Sequence, residues 1–231
     1  MDISPLALAL AKKNLQRLIT DGMIHQKPDL QFLQADILAP ADGQEDTTIP
    51  SLKSALEHYK SATDSTRSGN DHGQWDILMS NPPYISPEAF AHTTTRSVKR
   101  YEPLLALVPP PSQSSPNQAQ QGNQIDQGDL FYPRLLSIAA SLSVKVALFE
   151  VADLQQAKRV AVMAENQNIW DGIEIWRDNP SFQDYQEHSE EVVMHEKVKV
   201  VGAGNGRSVV VYRGVGNDWV GVKDGVLDTE S

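Results

Sequence analysis

The run Trp75-Asp76-Ile77-Leu78-Met79-Ser80 has the apolar content of a buried strand, and it stops dead at Asn81-Pro82-Pro83-Tyr84. Proline fixes φ and has no N–H to donate, and the residue before a proline is driven into extended geometry. Asn81 and Pro82 each precede a proline, so a stiff extended corner follows the strand, and an aromatic ring closes it. This order of events constrains the fold strongly. In open α/β sheets ligands bind beyond the carboxyl ends of strands, and a rigid polar, apolar and aromatic corner there suits a small planar group.

The rest of the chain alternates helix and strand around that corner. Ser4-Pro5 is a helix start, with an N-cap hydroxyl and proline in the first turn. Leu6, Leu8, Leu10, Leu15 and Leu18 then give an amphipathic stripe to about Ile19. Asp29 to Gln34 predicts a short strand, with Asp36 just past its end. A helix follows Asp129, carrying Leu130, Leu135, Leu136, Ile138, Ala139 and Leu142. VKVALFEV (144–151) predicts a buried strand, 154–167 a helix, GIEIWR (172–177) a strand and RSVVVYR (207–213) a β-branched last strand. Such alternation predicts an α/β chain with a mostly parallel sheet wrapped by helices.

Three stretches break the pattern, at 40–73, 109–127 and 179–199. The first is rich in Asp, Thr, Ser, Gly and Gln, with one short helix predicted over 51–60. The second (PPPSQSSPNQAQQGNQID) holds too little apolar surface to order itself. All three read as insertions in one domain spanning 1–213, and 214–231 as a loose tail.

Composition narrows the function. The formal net charge of −10 disfavours a nucleic-acid backbone as the main partner. No cysteine is present, which excludes disulfides and Cys-ligated zinc and fits a reducing compartment. No run approaches the roughly 18 apolar residues of a membrane span. His25, His92, His188 and His195 show no metal-ligand spacing, so no metal site is expected.

The corner carries its own chemistry. The Asn81 side chain offers a carbonyl acceptor and an amide donor, and the two prolines offer carbonyls alone. The Asn81 carbonyl and a proline carbonyl can hold both hydrogens of an –NH₂ group, while Tyr84 stacks on the planar group bearing it. Holding a poorly nucleophilic nitrogen in line with an electrophile removes on the order of 7–11 kcal/mol of barrier in the best intramolecular cases. Acceptors there also stabilise positive charge developing on the nitrogen. The plainer reading is a Pro-Pro turn that only ends a strand.

WDILMSNPPYI resembles the motif of amino-group methyltransferases that use S-adenosyl-L-methionine. The flanking segments resemble the HemK/PrmC-type protein-(glutamine-N5) methyltransferases, which act on the glutamine of the Gly-Gly-Gln motif in translation release factors. MDISPLALALAKKN is similar to the family's acidic strand end and following helix, and LQFLQADIL to its adenine-side strand. RSVKRYEPLLALVP, with Tyr101-Glu102-Pro103 and Ala106-Leu107, and Asp129-Leu130-Phe131-Tyr132 also fit. The RSVKRYEP form is most similar to mitochondrial members from fungi. About half of the chain is covered, and the insertions match nothing.

The resemblance implies a Rossmann-like class I methyltransferase sheet. Asp2 would bind the cofactor's ribose hydroxyls, Asp36 and Ile37 would flank its adenine, and Asn81 would lie near its methionine part. Asn81, Pro82, Pro83 and Tyr84 would bind the target glutamine, with Asn81, Pro82 and Tyr84 catalytic. It implies a monomer acting on a release factor, mitochondrial or else cytoplasmic. Asp2 as a solvated terminal residue and Asp36 as a helix N-cap or turn residue stay open as alternatives. Glu102 is expected to support its loop, and Glu150, closing a strand, has no assigned role. The family's first strand and Gly-x-Gly-x-Gly loop have no counterpart ahead of Asp2, so the resemblance implies an incomplete sheet. An N6-adenine or other nucleic-acid amino-methyltransferase and an inactive fragment of a methyltransferase are the alternative functions.

The one glycine run, Gly202-Ala203-Gly204-Asn205-Gly206, lies between VKVV and RSVVVYR. A cofactor loop should lead into a helix. A strand pattern on both sides predicts a hairpin instead.

Overall fold

The structure is a computed structural model that describes residues 1–25, 30–40, 48–63, 75–111, 126–180 and 198–220. The chain divides into two compact units, Met1–Gly73 and Gln74–Ser231, and the domain expected over 1–213 spans both. Of the insertions expected at 40–73, 109–127 and 179–199 and the tail at 214–231, residues 41–47, 64–73, 112–125, 181–197 and 221–231 lie outside the described residues.

In the first unit, α1 (Pro5–Thr20) starts as its sequence requires, with the Ser4 hydroxyl accepting from the Ala7 N–H at 3.3 Å and Pro5 in the first turn. Leu8 is buried, whereas Leu6 is 80% and Leu10 58% exposed. Of the strand predicted over 29–34, the described residues contribute one isolated parallel bridge, Gln34 to Asp2, and Asp36 beyond it makes another to Ser51. The predicted helix in the first insertion exists, as α2 (Leu52–Thr63), with Leu52, Ala55 and Leu56 buried.

The second unit is built on a five-stranded sheet, of β1 (Ile77–Ser80), β2 (Val146–Glu150), β3 (Gly172–Asn179), β4 (Val198–Val201) and β5 (Ala203–Tyr212), in the order β1-β2-β5-β3-β4. Short helices α3 (Pro87–His92) and α4 (Arg96–Tyr101) follow the Pro-Pro corner. Helix α5 (Tyr132–Ser141) precedes β2, and α6 (Leu154–Glu165) links β2 to β3. Ala157, Val160, Ala161 and Ala164 on α6 are buried at helical spacing, which seats one face of that helix in the core.

The pairing is mixed, not mostly parallel. β1 runs parallel to β2 and β3 to β4, but β5 is antiparallel to both β2 and β3. Val209, Val210 and Val211 of β5 are buried, as a strand covered on both faces demands. β1 was expected to be buried. Among the described residues it pairs with β2 alone, so Ile77 is 55% and Met79 73% exposed. Gly172 is fixed by Tyr212, whose ring lies where a Cβ would stand, 2.3 Å from its Cζ. That ring brings its hydroxyl 3.0 Å from the buried Glu174 carboxylate, and burial with that neighbouring charge pushes Tyr212 up to about 12.

The glycine run does not form a hairpin. β4 and β5 both pair with β3, on its opposite sides, and Gly202 carries the chain across the end of β3 at φ +87. Within the tail expected to be loose, the described residues form α7 (Gly216–Val220). Gly216 packs against the Lys145 carbonyl, and the Lys145 ammonium sits 5.5 Å over the Trp219 ring.

Candidate functional site

The corner stands at the carboxyl end of β1. Pro82 is buried, Pro83 and Tyr84 are half-buried and Asn81 is exposed. The Asn81 amide bonds to no described residue, which leaves its donor and its acceptor uncommitted among them. The chain leaves the corner through the Ile85 N–H, which donates to the Leu107 carbonyl at 2.9 Å. Ser86 then caps α3, accepting from the Ala89 N–H at 3.1 Å, with Pro87 in its first turn.

Tyr84 is held at both of its ends. Its hydroxyl donates to Glu150 Oε1 at 3.0 Å, from the last residue of β2. Burial first, then the hydrogen bond and the charge of Glu150, raise this phenol above its ordinary range, while the charge of Arg207 pulls the other way. The hydroxyl therefore stays a donor at physiological pH. At the other end, the Tyr84 carbonyl accepts from Gln156 Nε2 at 3.2 Å.

Gln156 belongs to a buried polar cluster. Its Nε2 also donates to Asp129 Oδ1 at 2.9 Å, and its Oε1 accepts from the Ala152 N–H at 2.7 Å. Arg159 donates to both Asp129 oxygens, at 2.5 Å from Nε and 2.9 Å from Nη2. That bonding raises the Arg159 guanidinium further above its ordinary range. The Tyr132 hydroxyl donates to the Glu150 carbonyl at 2.8 Å, and its burial raises it strongly. Asp129 is 1% and Gln156 3% exposed. A carboxylate so deep needs a paired cation and full hydrogen bonding, and here it has both.

The cofactor-side candidates lie in the first unit. Asp2 is exposed, and one of its carboxylate oxygens accepts from the Ser4 N–H at 2.7 Å. Asp36 is half-buried and accepts from the Leu38 N–H at 2.8 Å, the geometry of a turn residue. Each keeps a second carboxylate oxygen that no described residue bonds. Asp2 pairs with Gln34, two residues short of Asp36, so the two acids stand at the ends of neighbouring parallel segments. Ile37, beside Asp36, is half-buried. Glu102 caps the end of α4, its N–H donating to the Val98 carbonyl at 3.0 Å.

Sequence reasoning found the corner and missed what stands behind it. Asp129 and Tyr132 entered only as part of a matched segment, Glu150 had no role, and Gly128, Gln156 and Arg159 were not singled out. Asp153 was the one local signal near Gln156, since it caps α6 through the Gln156 N–H at 2.8 Å. No described helix is long and apolar enough to cross a membrane.

Comparison with known proteins gives two relatives. The chain is 30% identical over 183 residues to a protein of Schizosaccharomyces pombe described as a probable MRF1 mitochondrial N(5)-glutamine methyltransferase, mtq1. That match covers 75% of this chain and 46% of the relative, so the chain spans about half the length of that protein. It is also 60% identical over 38 residues to a release factor glutamine methyltransferase of Chlorobaculum tepidum, covering 16% of this chain and 13% of the relative. No family model matches the chain, and no solved structure matches it.

Proposed function

We infer that this chain is a HemK/PrmC-type protein-(glutamine-N5) methyltransferase, a reading supported by its likeness to two relatives named as glutamine methyltransferases, and that it methylates the side-chain amide nitrogen of the Gly-Gly-Gln glutamine in a translation release factor. The observation that carries the reading is the state of the corner. Asn81 presents an uncommitted amide beside two prolines that have acceptors and no N–H, on a strand end where the chain is fixed from behind.

The residues do the work by position. The Asn81 side-chain carbonyl and the Pro82 carbonyl accept the two hydrogens of the glutamine amide. This turns the nitrogen lone pair toward the methyl donor and favours the positive charge that grows on that nitrogen. The Tyr84 ring covers the amide plane. No strong base is required, because the proton can leave to water once the C–N bond has formed. S-adenosyl-L-methionine, when bound, supplies an electrophilic methyl on a sulfonium. The uncommitted carboxylate oxygens of Asp2 and Asp36 suit the acceptor chemistry that its ribose hydroxyls and adenine require. Asp2 takes the ribose, and Asp36 and Ile37 the adenine.

The same reading makes the mixed sheet of the second unit part of a Rossmann-like methyltransferase domain over 1–213, with insertions at 40–73, 109–127 and 179–199. It places the activity in mitochondria, as the name of the fission-yeast relative says of that protein. The test is transfer of labelled methyl by the 231-residue chain, offered a Gly-Gly-Gln release-factor domain, the same domain with that glutamine replaced by alanine, and single-stranded DNA and RNA. Label is expected on the glutamine amide of the first substrate alone. Label in nucleic acid, or in the alanine variant at the same rate, would sink the assignment.

A further inference from the structure

Tyr84 lies 66 residues before Glu150 and 72 before Gln156, yet the turn between β2 and α6 grips both of its ends. The grip is made by a continuous hydrogen-bonded unit. The Gln156 side chain closes the turn by accepting from the Ala152 N–H, and spends its two amide hydrogens on the Tyr84 carbonyl and on Asp129. Asp129 is fixed in turn by Arg159. From the side, the Gly128 backbone comes so close that a Cβ there would stand 2.7 Å from the Tyr84 oxygen.

Ending a strand needs none of this. A backbone carbonyl at the surface can be satisfied by water at little cost, whereas a buried Asp–Arg–Gln assembly is expensive to desolvate. Such a group is worth keeping where one conformation must be specified. Two prolines fix φ on the corner, but they leave ψ of Pro83 and the direction of the Tyr84 ring undetermined. The Glu150 and Gln156 contacts supply those two constraints.

We propose that Glu150 and Gln156 are positioning residues of the acceptor corner, Glu150 aiming the Tyr84 ring through its hydroxyl and Gln156 holding the Tyr84 carbonyl so that the proline carbonyls keep their direction. This rests on the methyl-transfer reading for its consequences in rate, though not for its geometry. Neither residue touches the transferred methyl. Displacing a bound group by about 1 Å can cost about a hundredfold in rate. Docking of a protein substrate is set by a wider surface, so the loss belongs in kcat and not in KM.

The experiment uses the 231-residue chain and steady-state methyl transfer to the Gly-Gly-Gln domain. Glu150→Ala is expected to lower kcat about 10- to 100-fold with KM within about twofold. Glu150→Gln keeps an acceptor for the phenol and should restore most of the rate. Tyr84→Phe should match Glu150→Ala, and the double variant should fall no further than either alone, because both remove one contact. Gln156→Glu, which keeps the shape and loses the donor, should lower kcat about tenfold. Multiplying losses in the double variant, or a Glu150→Gln as slow as Glu150→Ala, would overturn the assignment for Glu150. A Gln156→Glu that melts earlier but turns over normally when folded would overturn it for Gln156. Tyrosine ring order from carbon-13 relaxation gives a readout without turnover, so failure of the methyl-transfer reading is seen separately, as an inactive wild type. Tyr84 order should drop in Glu150→Ala and survive in Glu150→Gln, and unchanged order in Glu150→Ala would refute the proposal even then.

Discussion

The Asn81–Tyr84 corner follows the end of β1 and the Gly202–Gly206 run joins β4 to the start of β5 in the same sheet, and the two use opposite means. Proline stiffens the corner by covalent geometry, strips it of N–H groups and leaves the Asn81 amide uncommitted among the described residues. Glycine lets the run pass where no side chain fits. A Cβ on Gly202 would lie 2.3 Å from the Asn179 carbonyl oxygen, and one on Gly206 2.9 Å from the Leu154 Cα. Gly204 packs on the Asp178 side chain, which accepts from the Asn205 N–H at 3.0 Å. At these three glycines the missing Cβ lets the fold close, and the Asn205 N–H is spent on Asp178. The corner is supported from behind and presents its polar atoms in front. On the methyl-transfer reading the rigid punctuation serves the reaction, whereas the glycine punctuation, filled by its own neighbours, serves the fold.

The largest effect should fall on the corner. Asn81→Ala is expected to cut methyl transfer about 10²–10³-fold, the usual cost of losing one preorganised polar contact in a transition state. Its thermal midpoint should stay close to wild type, since the amide bonds to no described residue. Gly202→Ala should do the reverse. A side chain at φ +87 that also meets backbone should cost about 2–3 kcal/mol of stability, read from denaturant unfolding. Turnover per folded molecule should be kept. An Asn81→Ala that unfolds, or a Gly202→Ala that stays folded and is inactive, would erase the contrast between the two regions.

Much of this contrast could be read from residues alone, because proline and glycine act locally. The corner was visible as Asn-Pro-Pro-Tyr, and the run was visible as lying between two strand patterns. Partnership was not visible. VKVV and RSVVVYR announce strands, but period and β-propensity say nothing of which strand each will join. The insertion of β5 between β2 and β3 is a long-range choice. The leucine stripe of α1 was legible for the same local reason, while its exposure at Leu6 and Leu10 was not. Gln156 sits in the first turn of α6, where polar residues are ordinary, and its partners Tyr84 and Asp129 are 72 and 27 residues away. Only the folded chain shows that it is buried.

A smaller effect should come from pressing on the corner from behind. Gly128→Ala would set a methyl group 2.7 Å from the Tyr84 carbonyl, and also 3.2 Å from Gln156 Nε2, so one of them must move. Overpacking of this kind costs about 1–3 kcal/mol. Because the pressure falls on the acceptor side, turnover per folded molecule should drop as well, by about tenfold on the scale of a displaced contact. A Gly128→Ala chain with normal turnover would mean that the corner does not depend on its backing.

The smallest effect concerns the ion pair beside the glycine run. Arg207 Nε donates to Asp178 Oδ1 at 2.5 Å, and that bond, followed by the Asn205 N–H, holds the Asp178 carboxyl below its usual range. A folded-state value below the unfolded one, about 3.9, means that the ionised form favours folding. The contribution is therefore present at neutral pH and is lost as pH falls below about 4. Both side chains are exposed enough for water and salt to weaken the pair. Asp178→Asn should lower the thermal midpoint slightly at pH about 7, and the difference from wild type should shrink as pH falls below about 4. Arg207 also carries a charge felt by Tyr84, which makes this pair a link between the two regions. Turnover should nevertheless be unchanged in Asp178→Asn, because the Tyr84 hydroxyl keeps its bond to Glu150. A midpoint difference that is flat with pH would remove the ion pair from the account, and a fall in kcat would show that the run and the corner are coupled.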